Sequence, residues 1–339
     1  MSSVTFAIEI DEHTTRIAEA RHDEGIVFLQ SLGTTDTATA FFSATESEAM
    51  QQKQAQIIHN LATDLKITSR LANVIIPDAV AYAQIVEMPV LSEADLISAI
   101  KYQADEFIPM KVEDTYLDLE ILKQDTKNNK LSILIVAAPR KTVDGIYKTI
   151  ELAGFEPNRL ETEVSSVGRL LSEVMKSRDL TEGYCVLNLG YSASSIYVVD
   201  NTSKAIVFNR ACKIGFNMIQ REIMTNLNIS EPEALELLLR PGQKRAAVVG
   251  AIITSMRELS GEVSRIVDVY NHKYNLPVSH IFTINYTSYI ADFSRILSEL
   301  SKYHVEPLPL KTIYAPNPVM KVFSSEITGF AAAVSATFL

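Results

Sequence analysis

The sequence predicts an α/β protein made of two related halves, with a small α/β module inserted in the first. Two observations carry that expectation. Apolar strands alternate with amphipathic helices along all 339 residues, which argues for mixed sheets flanked by helices. Residues 6–28, FAIEIDEHTTRIAEARHDEGIVF, are echoed by residues 185–208, CVLNLGYSASSIYVVDNTSKAIVF, each reading as strand, turn, strand, turn, strand. The strings GIVF and AIVF lie 180 residues apart and the first strands 179, so one added residue relates the two segments. Two copies at that separation suggest a duplicated domain rather than a solenoid, whose periods are far shorter. The expected division is 1–180 for the first half, with the module at about 70–138, and 181–339 for the second.

The elements follow in order. After the first meander, Ser47 to Leu65 carries Met50, Ile57, Ile58, Leu61 and Leu65 at helical spacing. Asn73–Ile76 and Ala81–Met88 read as strands opening the module. Ser92 and Asp95 have the form of a capping box, so a helix begins there, lined by Leu96, Ile100, Ala104 and Phe107, and Pro109 ends it. Thr115–Leu122 alternates cleanly, with Tyr116, Asp118 and Glu120 on one face and Leu117, Leu119 and Ile121 on the other. Leu131–Ala138 is almost wholly apolar and reads as a central strand. Helices are expected over Thr142–Ala153 and Ser165–Lys176 before the second meander, then over Phe216–Leu227, Glu231–Leu239 and Ala246–Tyr274. A strand at His280–Asn285, a helix at Ile290–Tyr303, a proline-rich stretch and a helix from Ser324 close the chain.

Composition narrows the function classes. With 47% hydrophobic and 21% charged residues and no single-sign block, the chain reads as globular. A formal charge of −10, with no basic cluster, opposes attraction to nucleic acid. Cys185 and Cys212, far apart and flanked by apolar residues, read as buried strand thiols rather than a disulfide or metal cage. The six histidines show no metal-ligand spacing. No run approaches the ~20 apolar residues of a membrane span, so a cytoplasmic location is the expectation. The apolar tail Gly329–Leu339 suits a helix packed inside a domain.

With these residues in view, the order of elements resembles the actin-like (RNase H-like) ATPase fold. More narrowly, LSEADLISAIKYQADEFIPMKVEDTYLDLEIL (Leu91–Leu122) and VAAPRKTVDGIYKTIELAGFEPNRLETE (Val136–Glu163) resemble the PilM family of type IV pilus assembly proteins. The resemblance runs from near Phe6 to Ala332. Its most specific part is the helix ending in Phe107, Ile108 and Pro109. It implies a partner: the short cytoplasmic N-terminal peptide of the membrane protein PilN, taken up in a groove beside the module, within a pilus alignment complex at the inner membrane. Membrane contact would then come only through such partners and other pilus assembly components. Tyr82, Tyr102, Phe107 and Ile108 are the candidates for the groove, although such residues also serve as the module's own core.

The resemblance also implies a nucleotide site, and there the residues depart from the pattern. Phosphate loops use glycine and small hydroxyl residues because backbone amides must approach oxygen atoms unobstructed. In the first turn, Glu9 stands where Asp is usual, Asp11 where Gly is usual and Arg16 where Lys is usual. Glu12 and His13 replace small residues, and Thr14 follows them. In the second turn Asn188 replaces Asp, Gly190 is retained and Tyr191 replaces a small residue, with Ser192, Ser194 and Ser195 left as phosphate donors. Gly215 survives from a glycine pair whose other member is now Phe216. The adenosine loop reads Asn285, Tyr286, Thr287, Ser288, without glycine. Charges of like sign 4 Å apart repel by roughly 4 kcal/mol at an effective dielectric near 20, so Asp11 and Glu12 would need a cation such as magnesium. Asn188 cannot act as a general base. The expectation is weak or absent ATP binding, no hydrolysis and no required cofactor. The alternatives are an active ATPase switch or polymer using Ser192, Ser194 and Arg16 with ATP and magnesium, and the cytoplasmic part of a type II secretion platform.

Overall fold

The computed structural model describes residues 6–23, 25–177, 182–200, 202–274 and 277–338, the side chains of 93, 101, 103–107, 177 and 274 excepted. The chain divides into two compact units. One comprises residues 1–173, 313–319 and 332–339, the other residues 174–312 and 320–331. The boundary expected near 180 falls at 178–181, outside the described residues.

The first unit opens with an antiparallel meander, β1 (Phe6–Ile10), β2 (Thr14–Asp23) and β3 (Ile26–Asp36). Helix α1 (Glu48–Asp64) leads to β4 (Leu71–Ile76), parallel to β1. Then come β5 (Tyr82–Met88), α2 (Glu93–Phe107), β6 (Thr115–Asp125), β7 (Lys130–Pro139), α3 (Arg140–Leu152), β8 (Glu156–Thr162) and α4 (Glu163–Val174). The large sheet has the order β3-β2-β1-β4-β8, and the module sheet the order β5-β7-β6. Phe6, Ile8 and Ile10 of β1 pack with Ile58 of α1 and Ile146 of α3. Leu131, Ile133 and Ile135 of β7 pack under Leu96 and Ile100 of α2.

The second unit repeats the plan with β9 (Gly183–Leu189), β10 (Ser194–Val199) and β11 (Ile206–Cys212). Helices α5 (Phe216–Leu227), α6 (Glu231–Leu239) and α7 (Arg245–Tyr274) precede β12 (Val278–Asn285), α8 (Phe293–Leu300) and β13 (His304–Pro307). The order β11-β10-β9-β12-β13 matches that of the first unit strand for strand, the duplication that the echoed sequences imply. Short helices α9 (Pro318–Val322) and α10 (Ala331–Ser335) close the chain. The tail packs as its alanines suggest. Asn73 Nδ2 donates to the Ala336 carbonyl at 2.7 Å, and the Ser166 and Ser335 hydroxyls donate to the Ala332 and Ser166 carbonyls at 2.8 and 2.6 Å. Cys185 is buried in β9 and Cys212 half-buried in β11, both as free thiols.

Five elements differ from the sequence reading, one of them the helix expected from Ser324, which is a 3-10 turn at Ile327–Phe330 followed by α10. The strand at Asn73–Ile76, read as part of the module, is β4 and pairs between β1 and β8 in the large sheet. Its Ala72, Val74 and Ile76 are buried on the face that α1 covers. β8 was not expected, because Pro157, Asn158 and Arg159 have low strand propensity; it is an edge strand, where a missing donor is tolerated. β13 lies hidden in HVEP for the same reason. The helix expected over Ile290–Tyr303 is a 3-10 turn at Tyr286–Tyr289 followed by α8, which begins beyond Asp292 in the left-handed region (φ 60°).

Candidate functional site

In the first turn, β1 and β2 pair so that Glu9 lies opposite Arg16. Arg16 Nη1 donates to Glu9 Oε1 at 2.5 Å, with side chains 1% and 3% exposed. Burial pushes the Glu9 carboxyl above the usual range; the Arg16 charge opposes that shift and Asp11 adds to it. Asp11 is itself buried, and its N–H donates to the Thr14 carbonyl at 2.9 Å, closing the turn. Glu12 and His13 are half-buried at its tip, and Thr14 is buried at the start of β2. The turn therefore brings Glu9 and Arg16 together as a cross-strand ion pair, and the Asp11 amide is engaged within the loop.

In the second turn the two surviving glycines have a structural reason. A Cβ on Gly215 would lie 2.3 Å from the Tyr191 carbonyl oxygen, and one on Gly190 would lie 2.4 Å from that of Ala193. The close approach lets the first amides of α5 reach the turn: Phe216 N–H donates to the Gly190 carbonyl and Asn217 N–H to that of Tyr191, both at 2.9 Å. Helix N-termini and nest-like turns hold phosphate through such amides. Ser194 is fully buried and its hydroxyl donates to the Ile214 carbonyl at 2.5 Å, whereas Ser192 is half-buried. Asn188, on β9, is buried. Its Nδ2 donates to the Tyr197 hydroxyl at 3.2 Å, and its Oδ1 accepts from Asn285 Nδ2 at 3.1 Å.

Asn285 ends β12 with φ 66° and ψ −131°, a conformation that favours glycine. Thr287 is buried, its hydroxyl donating to the Ile284 carbonyl at 3.1 Å. The aromatic replacements from three separate loops meet here. Phe216 stacks on Tyr286 with centroids 5.1 Å apart, Tyr191 lies 5.9 Å from Tyr286, and Tyr289 lies 5.4 Å from it. The sequence marked Tyr191, Phe216 and Tyr286 singly as lost small residues, while Tyr289 carried no signal.

Two cavities are prominent. One of about 560 Å³ lies in the second unit near the ends of β12 and β13, where Thr287, Ser294 and Arg295 are among its lining residues. The other, about 490 Å³, lies in the first unit beside the module. Residues of β6 from Tyr116 to Glu120 line it on the module side and Glu161 of β8 and Arg169 of α4 on the other, with apolar lining that includes Ile76, Val136 and Leu160. Sequence reasoning missed this groove because it needs β8. Tyr82, Tyr102 and Ile108 do not line it. Tyr82 is half-buried with its hydroxyl bonded to Gln84, Tyr102 is 91% exposed, and Ile108 is buried in the module core. The Phe107 side chain lies outside the described residues. Among the described residues, no group of three His, Cys, Asp or Glu is placed to hold a metal ion, and no helix is long and apolar enough to cross a membrane.

Two sheets of one order, each an antiparallel meander continued by two parallel strands, define the chain as a protein of the actin-like ATPase fold. It is similar over 98% of its length to 97% of a chain in a PilM-PilN type IV pilus biogenesis complex (16% identity, TM-score 0.83). It is also similar to the ethanolamine utilization protein EutJ from Carboxydothermus hydrogenoformans (12% identity, 98% and 88% covered, TM-score 0.58). MreB 5 of Spiroplasma citri, bound to AMPPNP, matches at 7% identity over 100% and 96% of the chains, with a TM-score of 0.50. The profile of the type IV pilus assembly protein PilM matches residues 7–282, and the chain belongs to that family.

Proposed function

We propose that the chain is a scaffold of the type IV pilus alignment complex, holding the N-terminal cytoplasmic peptide of a PilN-like membrane protein and working without nucleotide. Family membership supports the pilus role, and similarity to a chain solved in a PilM-PilN complex supports the choice of partner. The protein would then sit at the cytoplasmic face of the inner membrane through that partner, among other pilus assembly components.

The observation that carries the nucleotide half of this reading is the aromatic cluster of Tyr191, Phe216 and Tyr286, built at positions where the resemblance implies small residues and joined by Tyr289. The loop amides of Asp11, Phe216 and Asn217 already donate to carbonyls. Arg16 faces Glu9, and Asn188 is tied to Tyr197 and Asn285. Neither turn by itself fits ATP with magnesium: the amides named here are taken by loop carbonyls, and Asn188, standing where the resemblance implies an aspartate, cannot act as a general base.

For the peptide, the groove beside the module has the features of a strand-addition site. β6 is an edge strand of the module sheet, and the cavity runs along it. The test is calorimetric titration of the purified chain with a synthetic N-terminal segment of the neighbouring PilN-like protein. Saturable binding is expected; no heat and no rise in melting temperature would contradict the reading. The ATPase alternative would be favoured instead by magnesium-stimulated phosphate release.

A further inference from the structure

The groove beside the module carries unbalanced negative charge at its inner wall. Glu161, near the end of β8, has a side chain 6% exposed. Its Oε1 accepts from Arg169 Nη2 at 2.6 Å, while its Oε2, equally enclosed, accepts no hydrogen bond. A buried charged acceptor left without a donor is costly. Across the groove, Glu120 and Asp118 share one face of β6. The partial burial of Glu120 pushes its carboxyl up, and Arg169, the Ser165 hydroxyl and Arg159 oppose a shift to which Glu161 adds. Three carboxylates therefore face two guanidiniums.

The edge of β6 defines how a guest would lie. Leu119 N–H donates to the carboxylate of its own neighbour, Asp118, at 2.8 Å, so it points away from the β7 ladder. In an antiparallel pair successive residues alternate between ladder and free side. The backbone groups of Leu117 and Leu119 thus point to the open edge, with the Asp118 carboxylate covering one of them. A strand added there presents alternate side chains to the two faces of the module sheet. One set continues the apolar face of Leu117 and Leu119, and the other meets Asp118, Glu120 and, from the opposite wall, Glu161.

We propose that this groove selects an extended segment with a basic side chain, whose ammonium or guanidinium donates to the unpartnered oxygen of Glu161 while its neighbours on the other face are apolar. The inference rests on the peptide-binding reading above and deepens it. A bound metal ion would be the other way to satisfy Glu161, but among the described residues no group of three His, Cys, Asp or Glu is placed to hold one. The formal charge of −10 on the whole chain adds long-range attraction for a basic guest.

The experiment is a double-mutant cycle by calorimetry on the full chain, using the PilN-like segment and a version with each Lys and Arg replaced by Gln. Glu161→Gln in the protein and neutralisation of the segment should each weaken binding by about tenfold or more, and together by little more than either alone. Because Glu161→Gln could unsettle Arg169, Glu120→Gln on β6 is measured alongside, and it should flatten the salt dependence. If Glu161→Gln fails to fold, the neutralised segment decides alone. Equal affinity of the native and neutralised segments, or tight binding by a segment that has no basic side chain, overturns this inference and leaves peptide binding standing. No binding by the unmodified segment overturns both.

Discussion

The ring of Phe216 lies stacked on that of Tyr286, with centroids 5.1 Å apart and planes 22° from parallel, joining the start of α5 to the loop after β12. Both side chains are 1% exposed. Truncating one leaves a void in the core of the second unit, so Phe216→Ala should cost about 3–5 kcal/mol in denaturant unfolding. A change below about 1 kcal/mol would show that the stack does not hold these loops together.

The Glu9–Arg16 pair makes a prediction that separates stability from ligand binding. Removing one member of a buried ion pair strands the other, so Arg16→Met should destabilise the ligand-free protein by about 3–5 kcal/mol. The double change Arg16→Met with Glu9→Leu should recover most of that loss. An arginine held ready for phosphate would instead leave the stability of the ligand-free protein nearly untouched.

Glycine substitutions offer an internal control. Gly215→Ala drives a Cβ against the Tyr191 carbonyl and backbone atoms of Ser192 and Ala193, and should cost about 1–3 kcal/mol or more. Gly250, within α7, has open space around its Cβ position, so Gly250→Ala should stabilise by about 0.5–1 kcal/mol. Thermal unfolding of the two variants reads the contrast directly.

Burial raises the Cys185 thiol far above its ordinary range and also raises that of Cys212. The thiolate is the reactive form. Mass spectrometry after iodoacetamide treatment at neutral pH should therefore find Cys185 unmodified in the folded protein, with half-buried Cys212 modified slowly and both modified in denaturant. Rapid native labelling of Cys185 would contradict its place in β9.

Much of this architecture is legible in the sequence because its signals are periodic. The paired meanders, the long α7 and the central β7 each repeat a strand or helix spacing over enough residues to be read locally. β8 and β13 are not legible: Pro157, Arg159 and Pro307 obscure short edge strands that exist only through pairing with β4 and β12. The altered nucleotide loops show the same division. Lost small residues at Asp11, Tyr191 and Phe216 are visible one at a time, whereas the convergence of Tyr191, Phe216, Tyr286 and Tyr289 depends on tertiary packing. The groove was hidden because Glu161 stands on the strand that propensity conceals, and shares the groove with β6 residues 41 to 45 positions earlier in the chain.

The most direct test of a nucleotide-independent scaffold is the affinity for the PilN-like segment, measured by calorimetry with and without saturating magnesium-ATP. Binding linkage requires that any change nucleotide makes in peptide affinity be matched by an equal change that peptide makes in nucleotide affinity. The account predicts one dissociation constant under both conditions and no heat from ATP alone. A several-fold change in peptide affinity on adding ATP, or saturable ATP binding by itself, would contradict it.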